Sequence, residues 1–412
     1  MDKIKKYSNN LTLIVSEGGA LSSSFAIMIG TGSVNETQEN NGISHYIEHM
    51  NFKGTEKYTA FDISNLMEIA GAHFNAYTGN ETTCFYAQTI SENLEKTFSI
   101  MSQAVFASIY LDSEAKKEKN VIIEEINMCE DTPDDVCFDL LQKAFFGDDG
   151  YGRTILGLAQ NVSSFTKQNV LDYLKSNYVA ENTVVSFAGN VKFEDADKLV
   201  EKYIMPIIQC GKKAEIPEHN IQNKKQFLYK NKDVEQTHFC LSFPSLSYVN
   251  ENRICSEMCL GVLGGGMSSR LFTKIREELG LAYSVYSYAS RYKDVGTANI
   301  YAGVNSDRVD EAFNAILEVL ETLKKNGISD EEFEKIRNQL KSSSVFSLER
   351  PQSKVQLFSK YYLMTGKLYD FKERLKDIDN VKKEDVEKMA YEFNTNDMAT
   401  AIVGRNVKPL KV

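Results

Sequence analysis

The succession of elements implied by the sequence repeats once along the 412-residue chain, and that repeat constrains the fold more than any single residue does. In the first half an apolar strand, Ser22 to Gly32, precedes a helix around residues 45–49, a second helix from Phe61 to Ile69, a hairpin near Ala72 to Thr89, and a helix from Glu92 to Ile109 whose apolar residues recur at helical spacing. A strand at Thr183 to Phe187 closes that half. The second half runs through a strand at His238 to Phe243, helices near Glu251 to Val262 and Ser269 to Leu279, paired strands between Ala282 and Val304, and a helix from Val309 to Leu323. Ser329 and Glu332 then make a capping box that opens another helix. Strands separated by pairs of helices predict an α+β fold of two homologous domains, each a mostly antiparallel β-sheet flanked by helices. The lysine-rich stretch 210–225, with Gly211 and Pro217, reads as a linker between domains at 1–209 and 226–412.

One copy carries a chemistry that the other lacks. His45-Tyr46-Ile47-Glu48-His49 is an HxxEH pentad at an expected helix start. Side chains at i and i+4 share a helix face, so both imidazoles can reach one ion while Glu48 lies beside His45. Catalytic zinc takes three protein ligands and keeps a fourth position for water, with a carboxylate nearby to remove a proton. The chain has only five histidines, and two of them flank this glutamate. The counterpart in the second copy, Glu251 to Leu260, contains no histidine.

Candidates for the third ligand lie on a helix expected over Asp112 to Asp131. Glu118 and Glu125, seven apart, fall on one face, with Val121 and Ile122 sharing or flanking it, whereas Glu124 points about 100° away. A carboxylate among apolar neighbours calls for a cation, because an unpaired buried charge is costly. Glu114 and Glu130 read as solvated.

The pentad, followed by Glu118-Lys-Asn-Val-Ile-Ile-Glu-Glu125, resembles the M16 zinc metallopeptidases, the inverzincin family of mitochondrial processing peptidase, pitrilysin and the insulin-degrading enzyme. Two further stretches carry the resemblance: Gly71 to Tyr86, similar to a hairpin whose edge strand binds substrate backbone, and Gly264 to Ser287, similar to a C-terminal signature. The resemblance implies that His45, His49 and Glu125 bind one Zn2+ per chain, that Glu48 is the general base, and that Glu118 orients the site from behind the ligands. It also implies that Asn75, Ala76 and Tyr77 bind substrate, for which an exposed strand edge is suited. Arg276 and Tyr283 match an arginine and a tyrosine that contact substrate near the metal. In larger relatives four such domains close a chamber, so a two-domain chain implies a dimer. A homodimer is the first expectation and a heterodimer with a paralogous chain the second, with Arg276 and Tyr283 facing the partner's zinc. The implied activity is zinc-dependent endopeptidase cleavage of peptides or unfolded segments. The alternatives are a catalytically silent scaffold subunit and an active subunit that requires a non-catalytic partner.

Composition narrows the rest. A net charge of −10 argues against a nucleic-acid surface. No apolar run approaches the ~20 residues of a membrane span. The first residues lack the apolar region of a secretion signal, which makes a cytoplasmic location the expectation. Seven scattered cysteines without a CxxC pair read as reduced thiols, and Cys255 and Cys259 as small core residues.

Overall fold

The computed structural model describes residues 2–217, 219 and 222–410, so positions 218, 220 and 221 of the expected linker lie outside the described residues. Strands β1 (Asp2–Lys6), β2 (Thr12–Glu17), β3 (Ser22–Ile29), β4 (His73–Thr78), β5 (Thr83–Ile90) and β6 (Thr183–Gly189) form one sheet in the order β1-β2-β6-β3-β5-β4. A second sheet takes β7 (Phe227–Asn231), β8 (Gln236–Ser245), β9 (Ala282–Arg291), β10 (Gly296–Asn305) and β11 (Ala399–Gly404) in the order β7-β11-β8-β10-β9. The duplication is therefore topological. With β1 set aside, the two orders correspond strand for strand, and in each sheet only one pairing is parallel, β2 with β6 and β7 with β11. The fold is α+β, in two units of mostly antiparallel sheet and helices.

Every residue of β6 and of β11 is buried. Strands buried on both faces read as continuous apolar runs rather than alternating ones, because helices cover both sides. On one face of the first sheet Phe25, Phe98 and Phe187 pack with ring centroids 4.9–6.0 Å apart. On the other face the cover comes from far along the chain. Val355 and Phe358, on a helix over Pro351–Thr365, pack against Met28 and Ala188 and against Ile14 and Val184 respectively. Reciprocally, the helix Pro133–Phe146 lays Val136, Cys137 and Leu141 on Cys240, Tyr301, Ala401 and Val403 of the second sheet. Both helices open with Pro at the first turn, where its missing N–H costs nothing. Each unit is consequently discontinuous in sequence: Met1–Ile126, Thr154–Glu218 and Val345–Tyr369 form one, and Asn127–Arg153, His219–Ser344 and Asp370–Val412 the other.

Two elements differ from the sequence reading. The helix expected from Glu92 to Ile109 spans Leu94–Phe106, because Ser108 pairs with Thr55 and Ile109 N–H donates to Gly54 O instead of continuing the helix. The segment expected as an ordinary helix from Ser269 to Leu279 is a π-helix over Phe272–Glu278, a wide turn that recurs at functional sites.

Candidate metal centre

The pentad helix spans Ile43–Asn51 and buries Ile43, Tyr46, Ile47 and Met50 in the core of the first unit. That spacing leaves His45, Glu48 and His49 on the opposite stripe. Facing them is the long helix Asp112–Asp131. Glu118 is buried at 5% exposure, Glu125 is half-buried and Glu124 is exposed. Val121, expected on or beside the inner face, is 51% exposed while Ile122 is fully buried. The buried stripe runs through Ala115, Glu118, Ile122 and Ile126, so its centre lies on the side of Glu118 away from Val121.

The two helices bring three donors to one point. Glu125 Oε2 lies 3.4 Å from His49 Nε2 and 3.8 Å from His45 Nε2, and the three ligand atoms all fall within 4.8 Å of one another. Ligands about 2.0–2.1 Å from a tetrahedral zinc are separated from each other by about 3.3 Å, so the set fits that ion in both chemistry and size. The imidazole rings meet edge to face at 4.5 Å.

Electrostatics separates the two histidines. Burial drives His45 down to about 3, with the His49 charge adding to the fall, so its ring stays neutral as a ligand must. Its Nδ1 is buried with no hydrogen-bond partner among the described residues. Burial also pulls His49 down, but the hydrogen bond to Glu118 and the charges of Glu125 and Glu48 outweigh it and hold His49 above its ordinary value. His49 Nδ1 lies 2.9 Å from Glu118 Oε1, and Lys53 Nζ is 2.8 Å from the other oxygen of that carboxylate. Burial opposes the Glu118 charge, yet the His49 and Lys53 contacts keep the group below the usual carboxylate range. Glu48, largely enclosed, is pushed up by burial, with the Thr78 hydroxyl, which donates to its Oε2 at 2.5 Å, working the other way. A carboxylate raised in this way takes up a proton more readily than a solvated one, as a base must.

Lys53 and Thr78 were missed by the sequence reading. Lys53 stands four residues beyond His49, a spacing that could have flagged it, whereas Thr78 reaches Glu48 only through the hairpin. β4 is the last strand of its sheet, paired with β5 alone. Along it His73, Asn75 and Tyr77 are exposed while Phe74, Ala76 and Thr78 are half-buried, and Asn75 Oδ1 accepts from Ala76 N–H at 2.9 Å. The strand ends at Thr78, the residue whose hydroxyl meets Glu48.

Arg276 and Tyr283 are brought together in the second unit. The guanidinium stacks over the rings of Phe272 (4.7 Å) and Tyr283 (4.8 Å) and donates to Tyr283 O at 3.0 Å, while the Tyr283 side chain stands 73% exposed. Gly264 packs directly on β9, since a Cβ there would stand 2.4 Å from Ser287 N. Cys255 and Cys259 are buried free thiols.

Residues 12–158 match the family described as Insulinase (Peptidase family M16), and residues 164–340 match the Peptidase M16 inactive domain. The chain is 38% identical over 404 residues to an uncharacterized zinc protease, YmxG, of Bacillus subtilis, covering 97% of this chain and 98% of that one. It is 36% identical over 409 residues to an uncharacterized zinc protease of Rickettsia felis, covering 98% and 97%. Among solved structures, a protease from Helicobacter pylori superposes with a TM-score of 0.90 at 22% identity over 98% of this chain and 99% of that one. A peptidase M16 inactive domain from Pseudomonas fluorescens gives 0.91 at 17% identity over 99% of each chain. At such identities the structural likeness speaks for the fold.

Proposed function

We propose that this chain, which belongs to peptidase family M16, is a zinc-dependent endopeptidase that cleaves peptides or unfolded segments inside a chamber formed by a dimer. The observation that carries the reading is the convergence of His45, His49 and Glu125 within 4.8 Å, with Glu48 on the same helix face. These three residues would hold the zinc, which would supply a Lewis acid for a carbonyl and for water. Glu48 takes the proton from the attacking water and passes it to the leaving amine, held in place by the Thr78 hydroxyl. Glu118 fixes the tautomer of His49 by accepting from Nδ1, and Lys53 holds Glu118. The free edge of β4 aligns the substrate backbone through Asn75, Ala76 and Tyr77. Arg276 and Tyr283 stabilise the developing oxyanion from the second copy of a dimer. The second half, whose match is to an inactive domain, has no histidine on the pentad-equivalent helix Arg253–Gly264 and serves as wall and substrate contact.

No helix among the described residues is long and apolar enough to cross a membrane, and we place the chain in the cytoplasm. Zinc content and peptide cleavage by the purified chain alone test the reading. One zinc per chain with cleavage supports it. Zinc without cleavage favours an active subunit that needs a different partner chain, and the absence of both favours a scaffold subunit.

A further inference from the structure

The helix that carries His45, Glu48 and His49 begins at a residue unable to cap it. The first N–H groups of a helix need acceptors, usually from Ser, Thr, Asp or Asn at the N-cap. Here that residue is Gly42, with φ of 100°. A Cβ at that place would stand 2.7 Å from Leu156 O and 2.9 Å from Gly157 Cα. Gly157 is constrained in turn, because its own Cβ would lie 2.4 Å from Asn41 O. Two backbones touch where a capping side chain would otherwise stand.

The missing acceptor comes from six residues upstream. Glu36 is 0% exposed, and its Oε1 accepts from Ser44 N–H (2.8 Å) while Oε2 accepts from Gly42 N–H (2.8 Å) and from Asn41 Nδ2 (2.9 Å). Asn41 also donates to Thr154 O at 3.0 Å, which ties the loop down. Burial pushes Glu36 up to about 7, with the Gly42, Ser44 and Asn41 hydrogen bonds acting in the opposite sense. The partial positive charge of the helix N-terminus favours a carboxylate at this point. Ser44 Oγ, next to His45, is 2.8 Å from the buried Tyr173 hydroxyl.

His49 has Glu118 to orient its ring, whereas His45 Nδ1 has no partner among the described residues. His45 is the third residue of its helix, so the direction of its ring is set by where and how tightly the first turn is held. We propose that Glu36 is a positioning residue of the metal centre: by holding the Gly42 and Ser44 N–H groups it fixes His45 through the backbone, as Glu118 fixes His49 through the ring. This rests on the reading of His45, His49 and Glu125 as metal ligands.

Glu36→Gln keeps the volume but turns an NH2 toward a backbone donor, so one of the two N–H groups loses its acceptor. The zinc dissociation constant of the full chain, measured by chelator competition, and the visible spectrum of the cobalt-loaded protein are compared with wild type. Leu13→Ala, a core variant in β2, serves as a control at matched loss of melting temperature. Glu36→Gln should bind zinc about 10–100-fold more weakly, the usual scale for residues that orient ligands, and alter the cobalt spectrum, while Leu13→Ala changes neither. Should Glu36→Gln not accumulate folded, Glu36→Asp, which retains the charge but draws the carboxylate back, carries the same comparison. Wild-type affinity and spectrum in the Glu36 variant, or equal losses in the Leu13 control, would overturn the proposal. Failure of the wild-type chain to bind either metal would instead overturn the reading of the ligands on which it stands.

Discussion

Stripping the metal should leave His45 opposing folding in mild acid, against the raised carboxyls of Glu36 and Glu48, which act in the opposite sense over the same range. In the folded chain burial takes this imidazole from 6.5 to about 3, and its side chain is only 9% exposed, so solvent screens little of the effect. The unfolded chain takes up a proton below about 6.5 while the folded one refuses it until near 3. The stabilising contribution is therefore intact above 6.5 and is lost as pH falls, at up to about 1.4 kcal/mol per pH unit. By pH 4.5 the loss reaches about 2.7 kcal/mol, a large part of the ~5–15 kcal/mol that holds a typical domain folded. His49 acts elsewhere: its raised value gives stability that is complete below 6.5 and lost as pH rises through its folded pKa. Glu118 acts below 4.5, because its lowered value gives stability that is lost as pH falls through its folded pKa. Urea denaturation of chelator-treated wild type and His45→Gln between pH 6.5 and 4.5 isolates the effect, since glutamine does not titrate there. Wild type should lose stability more steeply than the variant, by up to about 1.4 kcal/mol per pH unit at the acid end of that range. Parallel slopes would refute the claim that His45 is held neutral by burial.

Glu125→Gln should lose most of its bound zinc while Glu124→Gln keeps it, as metal analysis of the purified variants would read; equal occupancy would remove Glu125 from the ligand set. A Glu48→Gln chain mixed with a Tyr283→Phe chain should recover peptidase activity, because some dimers then contain one site with both groups intact. No recovery, with subunit exchange verified, would place both groups within one chain or exclude Tyr283 from the site.

The pentad helix was legible because an i, i+4 histidine pair has one geometric meaning on a helix, and the buried Glu118 and exposed Glu124 followed from rotation about the second helix. The repeated order of elements likewise implied two mostly antiparallel sheets, although β1, β7 and the interior strand β11 carried no such signal. What escaped was every feature whose partner is remote in sequence. The apolar stripe of Pro351–Thr365 implies burial without saying against which sheet, and apolar residues on both faces of β6, Val184 and Ala188 on one and Val185 and Phe187 on the other, were the local hint that its second face is covered. Glu36 is one of two acids in a loop, with Glu39, and its task appears only once Gly42 is seen pressed against Gly157. Val121 was misplaced because two glutamates fix a helix face only to within about one residue's rotation of 100°.

Whether a bound zinc ion and Glu48 together cleave peptide bonds is decided by Glu48→Gln, with zinc content and turnover of an unfolded peptide measured on the same preparation. One zinc per chain is expected in both proteins and turnover only in wild type, because the amide cannot take the proton while the ligands are untouched. Turnover near the wild-type rate in the zinc-loaded variant would contradict it.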